Sequence, residues 1–98
     1  MSKIKIAIAD DNRDLVKMME AYFENHDSIE VMFTASNGKV CIKMLEQYRP
    51  DVLLLDIIMP HLDGMGVLEA MYNDENLADI PVIMLTARDA DYDKILGL

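Results

Sequence analysis

The chain has 98 residues, 52% of them hydrophobic and 28% charged, which supplies apolar mass for one core, leaves no length for a second folded domain and excludes the composition of a disordered chain. Eighteen acidic residues against nine basic ones give a formal charge of −9, which repels phosphate backbones and anionic lipid, so neither nucleic acid nor membrane is expected as a direct partner. The single cysteine, Cys41, allows no internal disulfide; with no apolar run as long as a membrane span and no signal-peptide core at the amino end, the expectation is a soluble, cytoplasmic protein.

Strand and helix signals alternate along the chain. Lys3 to Ala9 sets Ile4, Ile6 and Ile8 against Lys5, Ala7 and Ala9, a β-branched strand pattern that stops at Asp10-Asp11-Asn12. From Arg13 to about His26, Leu15, Met18, Met19, Tyr22 and Phe23 recur at helical spacing and predict one apolar face. Ile29 to Ala35 reads as a second strand, Asn37-Gly38 as a turn, and Val40, Cys41, Met44, Leu45 and Tyr48 as a helix closed by Pro50.

Asp51 to Asp56 is a short continuous apolar run ending in aspartate, the pattern of a central parallel strand buried on both faces. Ile57 to Gly64 contains Pro60, Asp63 and Gly64 and reads as a loop, and Val67, Leu68 and Met71 suggest a third helix. Pro81 opens a fourth strand, Val82 to Thr86, after which residues 87–98 have the composition of a loop entering a helix. Nine methionines, including Met18, Met19, Met44 and Met71 at helical spacings, read as core filler rather than a partner surface.

Strict alternation implies right-handed crossovers and a parallel sheet covered on both sides, so the expected class is α/β. Ligands of such sheets bind beyond the carboxyl ends of the strands, where the connection order reverses. In the flavodoxin-like order 2-1-3-4 that switch lies between strands one and three, the strands that end in Asp10-Asp11 and in Asp56. Taken alone, Asp10-Asp11-Asn12 reads as a helix N-cap and Asx turn, and Asp56 alone as a solvated strand end. Together they converge three carboxylates whose repulsion requires a cation or a shifted pKa. Hard oxygen donors without a histidine or thiolate cluster favour Mg²⁺, which binds through one or two carboxylates and keeps several waters.

Ile-Ala-Asp-Asp-Asn at 8–12, Leu-Leu-Asp-Ile-Ile-Met-Pro-His-Leu-Asp-Gly at 54–64 and Ile-Met-Leu-Thr-Ala at 83–87 closely resemble the receiver domain of bacterial response regulators, over residues 3 to about 90. The first two runs look most like the receivers of sporulation regulators. The resemblance implies a phosphorylation switch in a two-component or phosphorelay system, with the protein not an enzyme in the ordinary sense. Asp56 would be the nucleophile that accepts a phosphoryl group from a phosphohistidine on a kinase or phosphotransferase partner. Asp10, Asp11, Asp56 and the backbone carbonyl of Ile58 would hold Mg²⁺, and Thr86 would be the switch hydroxyl that turns toward the phosphoryl group. By the same resemblance Ala87 leaves access to that group. Pro60 and Gly64 shape the loop, His61 is a loop residue, and Asn12 and Arg13 stand beside the metal ligands.

A complete receiver continues into a fifth strand ending in a lysine and then a fifth helix, neither of which follows in these 98 residues. Residues 1–98 are therefore expected to form a truncated receiver, with transcriptional control of the sporulation type belonging to a longer parent protein. An uncovered fourth strand is expected to pair with a second copy, through its edge or by segment exchange, to give a homodimer. The alternative reading is an oligomerising module, derived from a receiver, that no longer switches.

Three other chemistries fit less well. A phosphatase of the haloacid dehalogenase type wants a second aspartate two positions after the nucleophile, where Ile58 and Asn12 stand instead. A calcium loop beginning at Asp10 would need glycine at Leu15 and glutamate at Ala21. A flavin nucleotide would be repelled by two acids where its phosphate should be cradled.

Overall fold

The computed structural model describes residues 3–59 and 62–85. Four strands, β1 (Ile4–Ala9), β2 (Ile29–Ala35), β3 (Val52–Asp56) and β4 (Val82–Leu85), alternate with three helices, α1 (Arg13–Glu24), α2 (Gly38–Gln47) and α3 (Gly64–Tyr72). All strand pairs are parallel, and the sheet order is β2-β1-β3-β4, as the alternation and the strand-end acids predict. The β1–β2 register slips between Ile6 and Ala7, so that Met32 is skipped and Ala7 pairs with Phe33. Thr86, Ala87, Pro60, His61 and the expected helical segment of residues 87–98 lie outside the described residues.

The pleat of the two inner strands sorts the core into two halves. Ala7 and Ala9 of β1 and Leu53 and Leu55 of β3 join Phe33, Cys41, Leu45, Val67 and Met71 in the cluster under α2 and α3. Ile6, Ile8 and Leu54 alternate to the opposite face, where Val16 packs with Met19 and Phe23 of α1. Period-two alternation thus covers both faces of the central strands, and their ends emerge at one edge.

The predicted apolar face of α1 is wider than the sheet it meets. Val16, Met19 and Phe23 form the stripe that is packed, whereas Met18 is 68% exposed and Tyr22 is exposed as well. The expectation of Met18 as core filler is therefore wrong, while Met71 is buried and Met19 and Met44 are partly buried against the core. Two stripes one residue apart both satisfy helical spacing, and tertiary packing selects between them.

The helix starts are set by side-chain caps. Asn12 accepts a hydrogen bond from the Leu15 amide at 3.1 Å, Asn37 from Val40 at 2.9 Å and Asp63 from Gly66 at 2.8 Å, which satisfies one amide at each helix start. Two expectations change here. Asn37-Gly38 is the cap and first residue of α2 rather than a free turn, and Gly64 opens α3 instead of closing the loop. Helix α1 also ends at Glu24, two residues before His26.

Candidate functional site

β1 and β3 are adjacent and in register, with Ala9 opposite Leu55. Asp10 follows the end of β1 and Asp56 ends β3, so the strand pairing brings these two carboxylates to the same edge. Asp10 and Asp56 are 3% and 2% exposed, and Asp11 is exposed beside them. One carboxylate oxygen from each of Asp10, Asp11 and Asp56 lies within 4.8 Å of the others.

The buried pair is held in the same way on both strands. The Asn12 amide donates to Asp10 Oδ1 at 2.9 Å, and the Ile58 amide donates to Asp56 Oδ1 at 3.2 Å. Each is an Asx turn that fixes one oxygen of the acid. The other oxygens, Asp10 Oδ2 and Asp56 Oδ2, are buried and find no hydrogen-bond partner among the described residues. Leaving a buried carboxylate oxygen unmatched costs about 1–3 kcal/mol or more, and among the described residues no cation is paired with these two oxygens or with the third acid beside them.

The electrostatics of Asp56 express that lack. Burial pushes its carboxyl up from 3.8 to about 6, aided by the nearby charge of Asp10 and opposed by the hydrogen bond from Ile58. Desolvation and like charge both favour the neutral acid. The donor set suits a hard divalent cation: it is all oxygen, it combines two buried acids with one open to water, and it leaves room for further ligands. Asp10, Asp11 and Asp56 could therefore hold Mg²⁺, and the two unpartnered oxygens are the atoms such an ion would satisfy.

The other expected site residues fare differently. Ile58 is half exposed, and it is its amide, bonded to Asp56, whose contact is seen. The resemblance points to its carbonyl alone; the sequence signal for the amide is an aspartate with a non-proline residue two positions on, the spacing of an Asx turn. Asn12 caps α1, as the cap reading of Asp10-Asp11-Asn12 expects, while its own amide binds Asp10. Arg13 and Lys17 line a cavity of about 300 Å³ beside Asp10, between α1 and the end of β2. Thr86, expected as the switch hydroxyl, lies outside the described residues.

Gly64 is packed against the end of β3 that carries Asp56. A Cβ at Gly64 would collide with the Asp56 carbonyl oxygen and stand 2.6 Å from Ile57 Cα, and the Gly64 amide donates to the Ile57 carbonyl at 2.9 Å. Only glycine allows α3 to begin this close to the end of β3.

Comparison with known proteins agrees with this geometry. The family model for the response regulator receiver domain matches residues 6–98. Among solved structures, the N-terminal domain of a response regulator receiver protein from Methanoculleus marisnigri JR1 is 33% identical, with 95% of this chain and 76% of that one covered and a TM-score of 0.78. The receiver domain of Francisella response regulator 1452 is 29% identical over 97% of this chain and 75% of that one, with a TM-score of 0.78. The phosphorylated cyanobacterial phytochrome response regulator RcpA is 28% identical over 96% and 72%, with a TM-score of 0.82. With the parallel 2-1-3-4 sheet, the acids at its switch point and a family match spanning nearly the whole sequence, the chain belongs to the response regulator receiver domain family.

Proposed function

We propose that this receiver is the phosphoacceptor of a two-component or phosphorelay pathway and that Asp56 carries the phosphoryl group. The observation that carries the reading is the pair of buried oxygens of Asp10 and Asp56 that have no partner among the described residues, on acids gathered with Asp11 within 4.8 Å. A structural relative, the cyanobacterial phytochrome response regulator, is described in its phosphorylated form, which supports the same chemistry here.

In this reading an oxygen of Asp56 forms a bond to phosphorus while the bond from phosphorus to the donor's imidazole nitrogen breaks. The electron pair stays with the departing ring. The Ile58 amide holds Asp56 Oδ1 and so limits the rotation of the nucleophile; orientation of this kind is a large part of what phosphoryl transfer needs. Asp10, Asp11, Asp56 and the Ile58 carbonyl are the groups proposed to hold Mg²⁺. Bound there, the ion supplies charge neutralisation on the transferring oxygens. Thr86 is proposed as the hydroxyl that reads the modified state.

The donor is proposed to be a phosphohistidine-bearing kinase or phosphotransferase, and the setting cytoplasmic; among the described residues no helix is long and apolar enough to cross a membrane. The likeness of residues 8–12 and 54–64 to sporulation regulators supports control of sporulation-type transcription through a longer protein as the output. Incubation with Mg²⁺ and a small acyl phosphate, followed by intact mass measurement, tests the chemistry: one phosphoryl group is expected on the wild type and none on Asp56→Asn. Labelling that survives Asp56→Asn would overturn it.

One observation favours the second reading, an oligomerising module that does not switch. Among the described residues β4 pairs only with β3, and its Ile83 is 55% exposed. An edge of this kind offers backbone groups to another strand, and a second copy is the proposed partner. A protein that stays monomeric by light scattering at every concentration and gains one phosphoryl group excludes this reading.

A further inference from the structure

The connection between β3 and α3 is seated on backbone at both of its described ends. At Ile57 the seat is Gly64 of α3, as described above. At Leu62 the seat comes from a different helix. Gly38, buried at the first position of α2, lies so close that a Cβ there would be driven into the Leu62 carbonyl oxygen and would stand 2.6 Å from Leu62 Cβ and 2.7 Å from its carbonyl carbon. The Leu62 side chain is anchored in turn, packed against the core cluster under α2 and α3. The obstacle at position 38 is therefore backbone together with a packed side chain, which cannot swing aside as the end of a flexible side chain could.

We infer that Gly38 is a positioning residue for phosphoacceptance: the backbone contact between the start of α2 and Leu62 sets where the β3–α3 connection sits, and hence how Ile58 meets Asp56. The inference rests on Asp56 as the phosphoacceptor and on Ile58 as part of the cation site. It accounts for a glycine where helix propensity would prefer alanine, and for the tight cap by Asn37, which holds the first turn of α2 at this place. The coupling runs from α2 through Leu62 to Gly64 at the start of α3, whose amide is bonded to the Ile57 carbonyl, and so to the neighbouring Ile58, whose amide is bonded to Asp56 Oδ1.

Gly38→Ala tests it, with Lys39→Ala, exposed on the same turn, as the control. In protein without metal, amide exchange at Ile58 and Gly64 should accelerate in Gly38→Ala and stay at the wild-type rate in Lys39→Ala. Mg²⁺ affinity should fall about tenfold in Gly38→Ala, the size expected for groups that support a ligand rather than provide one, while helical circular dichroism is retained. Wild-type exchange and affinity in Gly38→Ala would overturn the inference. If the wild type neither binds Mg²⁺ nor accepts a phosphoryl group, the parent reading fails, and the metal-free exchange rates still decide whether Gly38 seats the connection. Should Gly38→Ala fail to fold, the wild type decides. An Overhauser contact from Gly38 Hα to Leu62, with Mg²⁺-induced shifts at the Gly38 amide, supports the coupling, and absence of either removes it.

Discussion

Asp10 and Asp56 are constrained alike: each accepts a hydrogen bond on Oδ1 from the amide two residues further on, and each leaves Oδ2 buried and, among the described residues, unpartnered. The acid on β3 and the acid after β1 thus stand with their rotation already restricted, each with one carboxylate oxygen within 4.8 Å of one from Asp11. Such a site binds a cation with little reorganisation, and most of the expected behaviour follows from that.

Mg²⁺ should stabilise the wild-type fold, by about 2.7 kcal/mol when free metal is 100 times the dissociation constant. Asp11 is exposed, so Asp11→Asn should leave metal-free stability within about 0.5 kcal/mol. The same substitution should weaken Mg²⁺ binding about tenfold or more. Urea midpoints with and without Mg²⁺ measure both quantities, and an equal Mg²⁺ response in the two proteins would refute the role of Asp11.

Without metal, stability should depend on pH through Asp56. Its carboxyl is pushed up to about 6 from 3.8, mainly by burial, so the native state holds this proton more tightly than the unfolded chain does. The stabilisation from this group is then complete below about pH 4 and is lost as pH rises through about 6, a change of about 3 kcal/mol. Asp56→Asn has no such loss. Its stability relative to wild type should climb by that amount between pH 4 and pH 7, and Mg²⁺ at pH 7 should narrow the gap. A difference that stays constant with pH would show that Asp56 is not buried as described.

The core assignments separate two apolar residues that look alike in the sequence. Leu55 is fully buried in the cluster under α2 and α3, and Leu55→Ala should cost about 2–5 kcal/mol in chemical denaturation. Met18→Ala, on the exposed stripe of α1, should change stability by no more than about 0.5 kcal/mol.

Cys41 is fully buried, and burial pushes its thiol up to about 12. A thiol of this kind is inert. A disulfide reagent at neutral pH should label it only at the rate of unfolding, with full labelling in urea; prompt labelling of native protein would contradict its place under α2.

What the sequence disclosed followed the strength of each local signal. β3 was legible because the unbroken apolar run Val52 to Leu55, bounded by Asp51 and Asp56, has few other uses, and the acids were legible because strand ends in such a sheet meet at one edge. The packed face of α1 was not, since Leu15, Met18 and Tyr22 keep the same spacing as the stripe of Val16, Met19 and Phe23 that the sheet covers. The role of Gly38 was hidden for another reason. Asn-Gly is a turn signal by local chemistry, and only the approach of Leu62, twenty-four positions along the chain, makes glycine necessary at the start of α2.

Asp10, Asp11 and Asp56 are proposed to hold one divalent ion between them. With eighteen acidic residues in the chain, the most direct test of this is paramagnetic Mn²⁺ titrated into ¹⁵N-labelled protein. One equivalent should broaden the amides of Asp10, Asp11, Asp56 and Ile57 first, saturably, with recovery on excess Mg²⁺. Broadening centred on another acidic face, such as Glu20, Glu24 and Glu30, or growing without saturation, would rule out a shared cation site at these three acids.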